Sequence, residues 1–473
     1  MQAPRDLLAD LWTSVGGDAA ALERVTLTGD EPQLPSSFRV DAAAQVSIAA
    51  SAMAAAQIWE MRSGQAQSIS VDMRHAAIEC RSERYLRRDG EPPPPMWDPI
   101  AGVYQVKGGR YVRLHTNFPH HRDAVCKVLS CAATREAVQA ALLTWDGEAF
   151  ETAAYAAGGV VALMRTREEW QALPQASALA DLPLLDITRI GEAAPKPWAA
   201  PWPAPWPAGD RPLGGVRVLD LSRVIAGPVA GRTLAAHGAD LMLVSSPKLP
   251  SIPWLVIDTG RGKLSSFADL TTKDGQAALR ALLAEADIFS QGYRPRSLAA
   301  LGFSPEEAAA INPGLVYVSL SAYGRSGPWA DRRGFDSLVQ CATGFNAAEG
   351  QAAGVAGPKE LPMQILDHAT GYLMACGAMV AKARQAREGG SWHVQVSLAR
   401  TGQWLWEMGR LTEGLLVPDI TAEAAAPRLA PTPSGFGMLT AVLHAAQLSK
   451  TPAHWALPSV PLGSDPPRWP ARG

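Results

Sequence analysis

The sequence predicts an α/β protein whose large domain is a doubly wound parallel sheet of the Rossmann-like type. Three observations predict it. Beyond residue 213, short apolar strands alternate with helices of amphipathic spacing. A run from Ala194 to Pro212, APKPWAAPWPAPWPAGDRP, cuts the chain into halves, because proline recurs there too often for a helix or a central strand. The chain also has 473 residues, 47% hydrophobic and only 19% charged, which suffices for full cores in about three domains at ~150 residues each.

Composition removes several function classes. With 43 Lys+Arg against 45 Asp+Glu, the net charge of −2 offers no basic surface to nucleic acid. Cys80, Cys126, Cys131, Cys341 and Cys376 are odd in number and form no CxxC pair, so neither a disulfide framework nor a structural zinc site is expected. The start, MQAPRDLLADLWTSVGG, carries acids and no continuous apolar core, and the longest apolar run, around Ala153 to Met164, falls short of the ~20 residues of a membrane span. The expectation is a soluble cytoplasmic protein with reduced thiols and no membrane partner.

In chain order, VDAAAQVSIAASAMAAAQIWEMRSGQAQSISVDMRHA from Val40 reads as an Asp-started helix of small residues, a turn at Gly64 and an alternating strand, SISVDM. The same order recurs from Leu366 in LDHATGYLMACGAMVAKARQAREGGSWHVQVSLART, where Asp367 matches Asp41 and Ala378-Met379 match Ala52-Met53. A shared helix, turn and strand points to an internal duplication. In the linker, Trp198, Trp202 and Trp206 recur every four residues and read as packing against a neighbouring domain, with a peptide-recognition motif as the alternative. Beyond it, GVRVLDL (Gly215 to Leu221) is a strand, RVIAGPVAG a glycine turn, TLAAHGAD an alanine- and leucine-rich helix and LMLV (Leu241 to Val244) the next strand. The helix GQAALRALLAEA precedes DIFSQGY, and Leu315 to Ser321 is a further strand before a glycine turn.

A doubly wound sheet binds its ligand at the carboxyl ends of the strands, and a nucleotide-bearing ligand is expected. A dinucleotide is not. GxGxxG is absent, since AGPVAG offers Gly227 and Gly231 with Pro228 between them, and Ser245-Ser246 rather than an acid follow the second strand.

Five ordered signatures carry a resemblance: GVRVLDLSRVIAGP, GRGKLSSFADL, GYRPRSLAALGF, YVSLSAYGRSGPWADRRGFDSLVQCATGF and LDHATGYLMACGAMVA. From Leu213 to Arg400 the chain resembles the class III CoA-transferase family, which includes formyl-CoA transferase and carnitine CoA-transferase and is related to α-methylacyl-CoA racemase. In the first half, GVYQVKGGRYVRLHT resembles the family's smaller α+β domain and PLLDITRIGEAAPKP its returning strand. The resemblance implies two truncated, fused copies. Residues 1–75 form an N-terminal extension with the first Asp helix, 76–193 the small domain and return strand, and 194–212 the linker. Residues 213–400 form the CoA-binding domain with the catalytic Asp helix, and 401–473 a return segment containing LTAVLHAAQLSK. Family homodimers resemble interlocked rings, so the partner expected is either a second copy or the chain itself, interlocked intramolecularly.

The implied chemistry is exchange of CoA between an acyl-CoA and a small organic acid through an aspartyl mixed anhydride. CoA is a substrate there, and neither a prosthetic group nor a metal is called for. By motif position the nucleophile is Asp367, whose other reading is a helix N-cap. Asp41 reads as a cap. His368 is either a proton donor or pocket-lining. For CoA phosphates and adenine the motif positions are Arg261, Lys263, Tyr293 and Arg294, with Arg223 beside the first turn. Gly324 and Gly327 are the turn candidates for backbone N–H donors, because GEPPPPMWDPIAG has Pro92 to Pro95 where the family has glycines. Ser245, Ser246, Gly292 and Ile225 depart from common family residues, and Ile225 argues against formate or oxalate as substrate. Gly334-Phe335-Asp336 stands where racemases carry a proton-transferring His, which favours transferase over racemase. The alternatives are a racemase-like or other acyl-CoA-processing enzyme and a catalytically altered acyl-CoA-binding module.

Overall fold

The structure is a computed structural model that describes residues 1–196 and 211–471. Trp198, Trp202 and Trp206 therefore lie outside the described residues. In the first half, strand β1 (Val25–Thr28) pairs in parallel with β2 (Ile69–Asp72), and the helix Val40–Ser63 lies between them in sequence. After β3 (Arg87–Arg88) come β4 (Gly102–Gln105), β5 (Tyr111–Leu114) and β6 (Val161–Leu163), an antiparallel sheet with its own core of Tyr104, Val112, Phe150 and Leu163. That is the small α+β unit the sequence predicts. Strand β7 (Asp186–Gly191) then leaves it for the main sheet.

The second half supplies β8 (Arg217–Leu221), β9 (Asp240–Ser245), β10 (Lys263–Phe267), β11 (Ile288–Gln291), β12 (Val316–Ser321) and β13 (Ser391–Ser397). The main sheet runs β10-β9-β8-β11-β12-β13-β7, parallel except for β7. All five residues of β8 are buried, as expected of a parallel strand covered on both faces. Alternate residues serve different cores. Val218, Leu241 and Val316 pack under the helices Ala226–Ala236 and Ile365–Glu388, while Leu219, Met242 and Tyr317 pack under Lys273–Ala284. Strand order reverses between β8 and β11, and such a switch point opens a crevice at the strand carboxyl ends.

The predicted glycine turn after β8 is mostly helix. Ala226–Ala236 includes AGPVAG, and the turn proper is shorter, with Val224 at φ 75°. This is strained for a β-branched residue. Gly231 has a packing reason, since a Cβ there would lie 2.6 Å from Asp220 Oδ2 and 2.8 Å from Lys263 Nζ. The boundary expected at residue 400 also moves, because it falls inside the helix Leu398–Glu407.

The last strands are β14 (Leu429–Ser434), β15 (Gly437–Val442) and β16 (Ala446–Leu448), of which β15 and β16 pair with the first half. β15 pairs with β3, and β16 runs antiparallel to β2. One topology thus occurs twice: β12-β13-β7 and β1-β2-β16 are each a parallel pair closed by an antiparallel strand from the other half. Between the strands of each parallel pair stands a long helix of 24 residues, Val40–Ser63 or Ile365–Glu388, and the two helices pack on each other. Val40–Ser63 is long and apolar enough to cross a membrane, yet 89% of its apolar window is buried inside the protein. Counting uninterrupted apolar runs overlooks it, because Gln45, Ser47 and Ser51 punctuate the alanines.

Candidate active site

A crevice of about 330 Å³ opens at the switch point. The end of β8 contributes Arg223, Val224 and Ile225, and the end of β11 contributes Gly292, Tyr293 and Arg294. Arg332, Arg333 and Phe335 come from the loop after β12, while Phe118, His120 and His121 come from the small domain. Among the described residues lining the crevice, Asp367 is the only carboxylate.

The cations press on one another. Burial, then the charge of Arg294, lowers the basicity of Arg333, and burial lowers that of Arg223. His121 is pushed down to about 3, by burial first and then by His120, Arg333 and Arg223. Arg223, Arg294 and Arg333 face one crevice that carries a single carboxylate among the described lining residues, an arrangement that favours an anion there. Arg332 is partly satisfied by Glu151 at 2.9 Å. Arg223 donates to the Pro250 carbonyl and lies over the Phe118 ring, 5.0 Å from its centroid.

Asp367 is the third residue of its helix, whose N-cap is Gln364, so the plain N-cap reading does not hold. Its backbone N–H donates to Asp336 Oδ2 at 2.9 Å, and Gln340 donates to the same carboxylate. Burial, then the negative charges of Asp336 and Glu83, pushes the Asp367 carboxyl well above the usual range. Burial also raises Asp336. Beside them, His368 Nε2 lies 3.3 Å from Glu83 Oε2, so His368 faces a first-half carboxylate.

Behind Asp367 lies an inner cavity of about 270 Å³. It shares Val224, Ile225, Phe335 and Asp367 with the crevice, which places Asp367 on the wall between the two spaces. Glu83, Met96, Trp97 and His115 enter from the first half, and Ile252, Leu255, Asp336 and Gln364 from the second. Pro92 to Pro95 lead directly into Met96 and Trp97, so the proline-filled loop does reach the site, presenting side chains there. The His115 ring stacks on Phe335 with centroids 3.8 Å apart and planes 9° apart.

Other expected site residues lie elsewhere. Lys263, at the amino end of β10, is buried against Asp220 Oδ2 at 3.1 Å and the Pro228 carbonyl at 2.9 Å. Arg261 is buried as well, donating to the Val442 carbonyl at 2.7 Å and lying 4.0 Å from the Trp455 ring centroid. Neither lines the crevice. Gly324 and Gly327 adopt positive φ, but a Cβ on either would strike Leu179 or Gln175, and the Gly324 N–H donates to Ser321 Oγ at 3.1 Å. They are packing glycines set apart from Asp367. Asp41 is no N-cap either: its Oδ2 accepts from the N–H groups of Gln33 and Leu34 at 2.7 and 3.2 Å, tying down the preceding loop.

Sequence reasoning missed Arg332, Arg333, His120, His121, Glu83 and His115. The doublets Arg332-Arg333 and His120-His121 were visible signals. Glu83 and His115 carried none, because they reach Asp367 only through the packing of the two halves.

Residues 213–431 match the family described as CoA-transferase family III. Over this part the chain is similar to CoA-transferase family III. The family III segment is 34% identical over 199 residues to an acetyl-coenzyme A transferase of Hypoxylon pulicicidum, covering 41% of this chain and 34% of that protein. It is 33% identical over 205 residues to the succinate–glutarate CoA-transferase of Agrobacterium fabrum, covering 40% and 51%. An acyl-CoA transferase of Gibberella moniliformis aligns across both halves, 28% identical over 422 residues, covering 80% of this chain and 73% of that one. The chain spans from a third to a half of the length of the first curated relatives it matches. Among solved structures, a CAIB/BAIF family protein from Brucella suis is 26% identical with a TM-score of 0.37, covering 48% of this chain and 65% of that one.

Proposed function

We propose that the protein exchanges CoA between an acyl-CoA thioester and a free carboxylic acid, with Asp367 as nucleophile. One observation carries the reading: Asp367 is the crevice's sole carboxylate among the described lining residues and also opens onto the inner cavity. CoA phosphates suit Arg223, Arg294 and Arg333, with Tyr293 along the wall, and the inner cavity suits the acyl group or the incoming acid.

The chemistry follows from that placement. The Asp367 carboxylate attacks the thioester carbonyl carbon, the C–S bond breaks, and CoA leaves as thiolate, giving a mixed anhydride. Thiolate attack on the aspartyl carbonyl releases the first acid and leaves an aspartyl thioester. The second acid then attacks that thioester, and returning thiolate takes up the new acyl group and frees Asp367. No redox change or prosthetic group is needed. The test is incubation with acyl-CoA donors and hydroxylamine, followed by mass spectrometry for a hydroxamate on Asp367. A protein that binds CoA but forms no adduct with a broad donor panel is instead an acyl-CoA-binding module.

A second reading has one observation in its favour. Phe335 carries no proton, but the structure lays the His115 imidazole against it, in the same cavity as Asp367. Burial first, then the charges of His121 and Arg113, hold His115 down to about 3, so it is a neutral imidazole. A racemase-like enzyme would wash solvent deuterium into the acyl α-carbon, and transferase activity without deuterium uptake rules that reading out.

The reciprocal placement of β7 and β16 supports a chain interlocked with itself. A homodimer is the alternative, and a mass measurement in solution separates the two.

A further inference from the structure

The crevice takes two adjacent arginines, Arg332 and Arg333, from the loop after β12, and their surroundings differ. Arg333 has no ion-pair partner among the described residues, and burial, then the charge of Arg294, lowers its basicity. Arg332 is held by the small domain. Its partner Glu151, on the helix Gly147–Ala156, is 4% exposed. Glu151 Oε1 accepts from the Leu163 N–H at 2.9 Å and from Arg165 Nη1 at 3.1 Å, and Oε2 accepts from Arg165 Nη2 at 2.6 Å. Arg332 Nη2 then reaches Oε1 at 2.9 Å. Four donors match the lone-pair sites of one carboxylate. Burial would raise this carboxyl, but the hydrogen bonds and charge of Arg165, then the charge of Arg332, hold it below its ordinary value, so it is ionised.

The same helix ties down the neighbouring backbone. The Tyr155 hydroxyl donates to the Asp331 carbonyl at 3.2 Å, and the Arg332 guanidinium lies 5.5 Å from the Tyr155 ring centroid and 4.0 Å from that of Trp329. Earlier in the loop another first-half side chain acts. Gln175 donates to the carbonyls of Tyr323 and Ser326 at 2.7 and 2.9 Å and accepts from the Trp329 N–H at 2.6 Å. Glu151 and Tyr155 take over where Gln175 ends. With the Asp331 carbonyl and the Arg332 head both fixed on one helix, the backbone leading into Arg333 has lost much of its freedom before a ligand arrives.

We propose that Glu151 is a positioning residue for the crevice: by anchoring Arg332 on the small domain it sets the approach of Arg333 to the bound anion. The proposal rests on the reading that the crevice holds the phosphates of CoA, and it deepens that reading by naming a residue outside the crevice lining on which affinity depends.

Calorimetric titration with CoA at fixed ionic strength tests it as a double-mutant cycle of Glu151→Gln and Arg333→Ala. Glu151→Gln keeps an acceptor oxygen and loses the charge that holds Arg332. With Arg333 present it should weaken CoA about fivefold, and with Arg333→Ala by less than about twofold, because the side chain it positions is gone. Equal weakening in both backgrounds, or none with Arg333 present, overturns the proposal. So does a lower melting temperature without that coupling, which is what a purely structural Glu151 would give. If Glu151→Gln does not fold, Tyr155→Phe decides, since it keeps every charge and removes only the hydrogen bond to the Asp331 carbonyl. It should weaken CoA about twofold with Arg333 present and leave affinity unchanged with Arg333→Ala, and any other pattern overturns the proposal. Native protein that binds CoA while the variants behave additively overturns the proposal alone, whereas native protein that does not bind CoA overturns the reading of the crevice as well.

Discussion

The backbone N–H of Asp367 donates to the carboxylate of Asp336 at 2.9 Å, so the helix that begins at Ile365 is held at its first turn by an acid from another helix. The same acid also pushes the Asp367 carboxyl upward by its charge. Positioning and ionisation of the proposed nucleophile therefore share one residue, and they can be separated by mutation. Asp336→Asn keeps an acceptor oxygen but removes the charge. Because Asp367 attacks as the carboxylate, activity falls as pH drops through its raised pKa, and Asp336→Asn should move that acid limb to lower pH. Asp336→Ala should also loosen the helix start, at about 1 kcal/mol, as lost helix caps do. An acid limb unmoved in Asp336→Asn would show that the two carboxylates do not interact.

Cations on the crevice and cations in the core should respond differently. Arg294→Ala and Arg333→Ala are expected to weaken CoA binding about tenfold, more so at low salt, with little change in melting temperature. Lys263→Met strands the buried Asp220 carboxylate and should cost about 3–5 kcal/mol of stability. Calorimetric titration with CoA and thermal melts distinguish the two groups.

Asp41 gives a pH signature of its own. Burial pushes its carboxyl up to about 7, well above the value of an unfolded chain. A carboxyl raised in the folded state is protonated there while the unfolded chain is ionised, so stability is gained as pH falls from above 7 towards 4 and is lost on the return. Asp41→Asn removes this dependence. Its stability relative to the native protein should rise between pH 4 and pH 8 by on the order of 4 kcal/mol, read by urea unfolding at each pH. A difference that is flat across that interval contradicts the raised carboxyl.

His115 and His121 act in the opposite direction. Both are pushed down to about 3 in the fold, mainly by burial. Their contribution is complete above the unfolded value of about 6.5 and is lost as pH falls towards 3. The small domain should loosen on acidification below pH 6, and His121→Gln should blunt that loss, which hydrogen exchange across residues 102–163 would report.

Strand exchange between the halves predicts complementation. Fragments 1–196 and 211–473 expressed together should co-purify, because β7 completes the sheet of one and β16 that of the other. Each expressed alone leaves β13 or β2 with an unpaired edge and should aggregate. Soluble, monomeric fragments would mean that the exchanged strands contribute little.

Local signals made much of this readable beforehand. Strand and helix alternation from Gly215 onward, the helices carrying Asp41 and Asp367 in their first turns, and the β-rich run ending at Ser321 all appear where periodicity places them. AGPVAG was misread as a turn because glycines usually mark one. Here Pro228 sits in a first helical turn, where it needs no hydrogen bond, and Gly231 clears the Asp220–Lys263 pair. The crevice cations were half legible: Arg223, Tyr293 and Arg294 follow strand carboxyl ends, as the fold requires, whereas Lys263 heads its strand and points into the core.

By itself the sequence determined the α/β class, the resemblance that singles out Asp367, and the repeated helix, turn and strand, since each depends on residues adjacent in the chain. The tertiary structure alone decided which charges meet. Glu83, Trp97 and His115 reach Asp367 across about 250 to 285 residues of chain because β7 and β16 cross between the halves, and Arg261 and Lys263 are satisfied internally for the same reason of packing. Burial and the distance to an opposite charge set what an ionisable side chain can do, and neither quantity is a property of the local sequence.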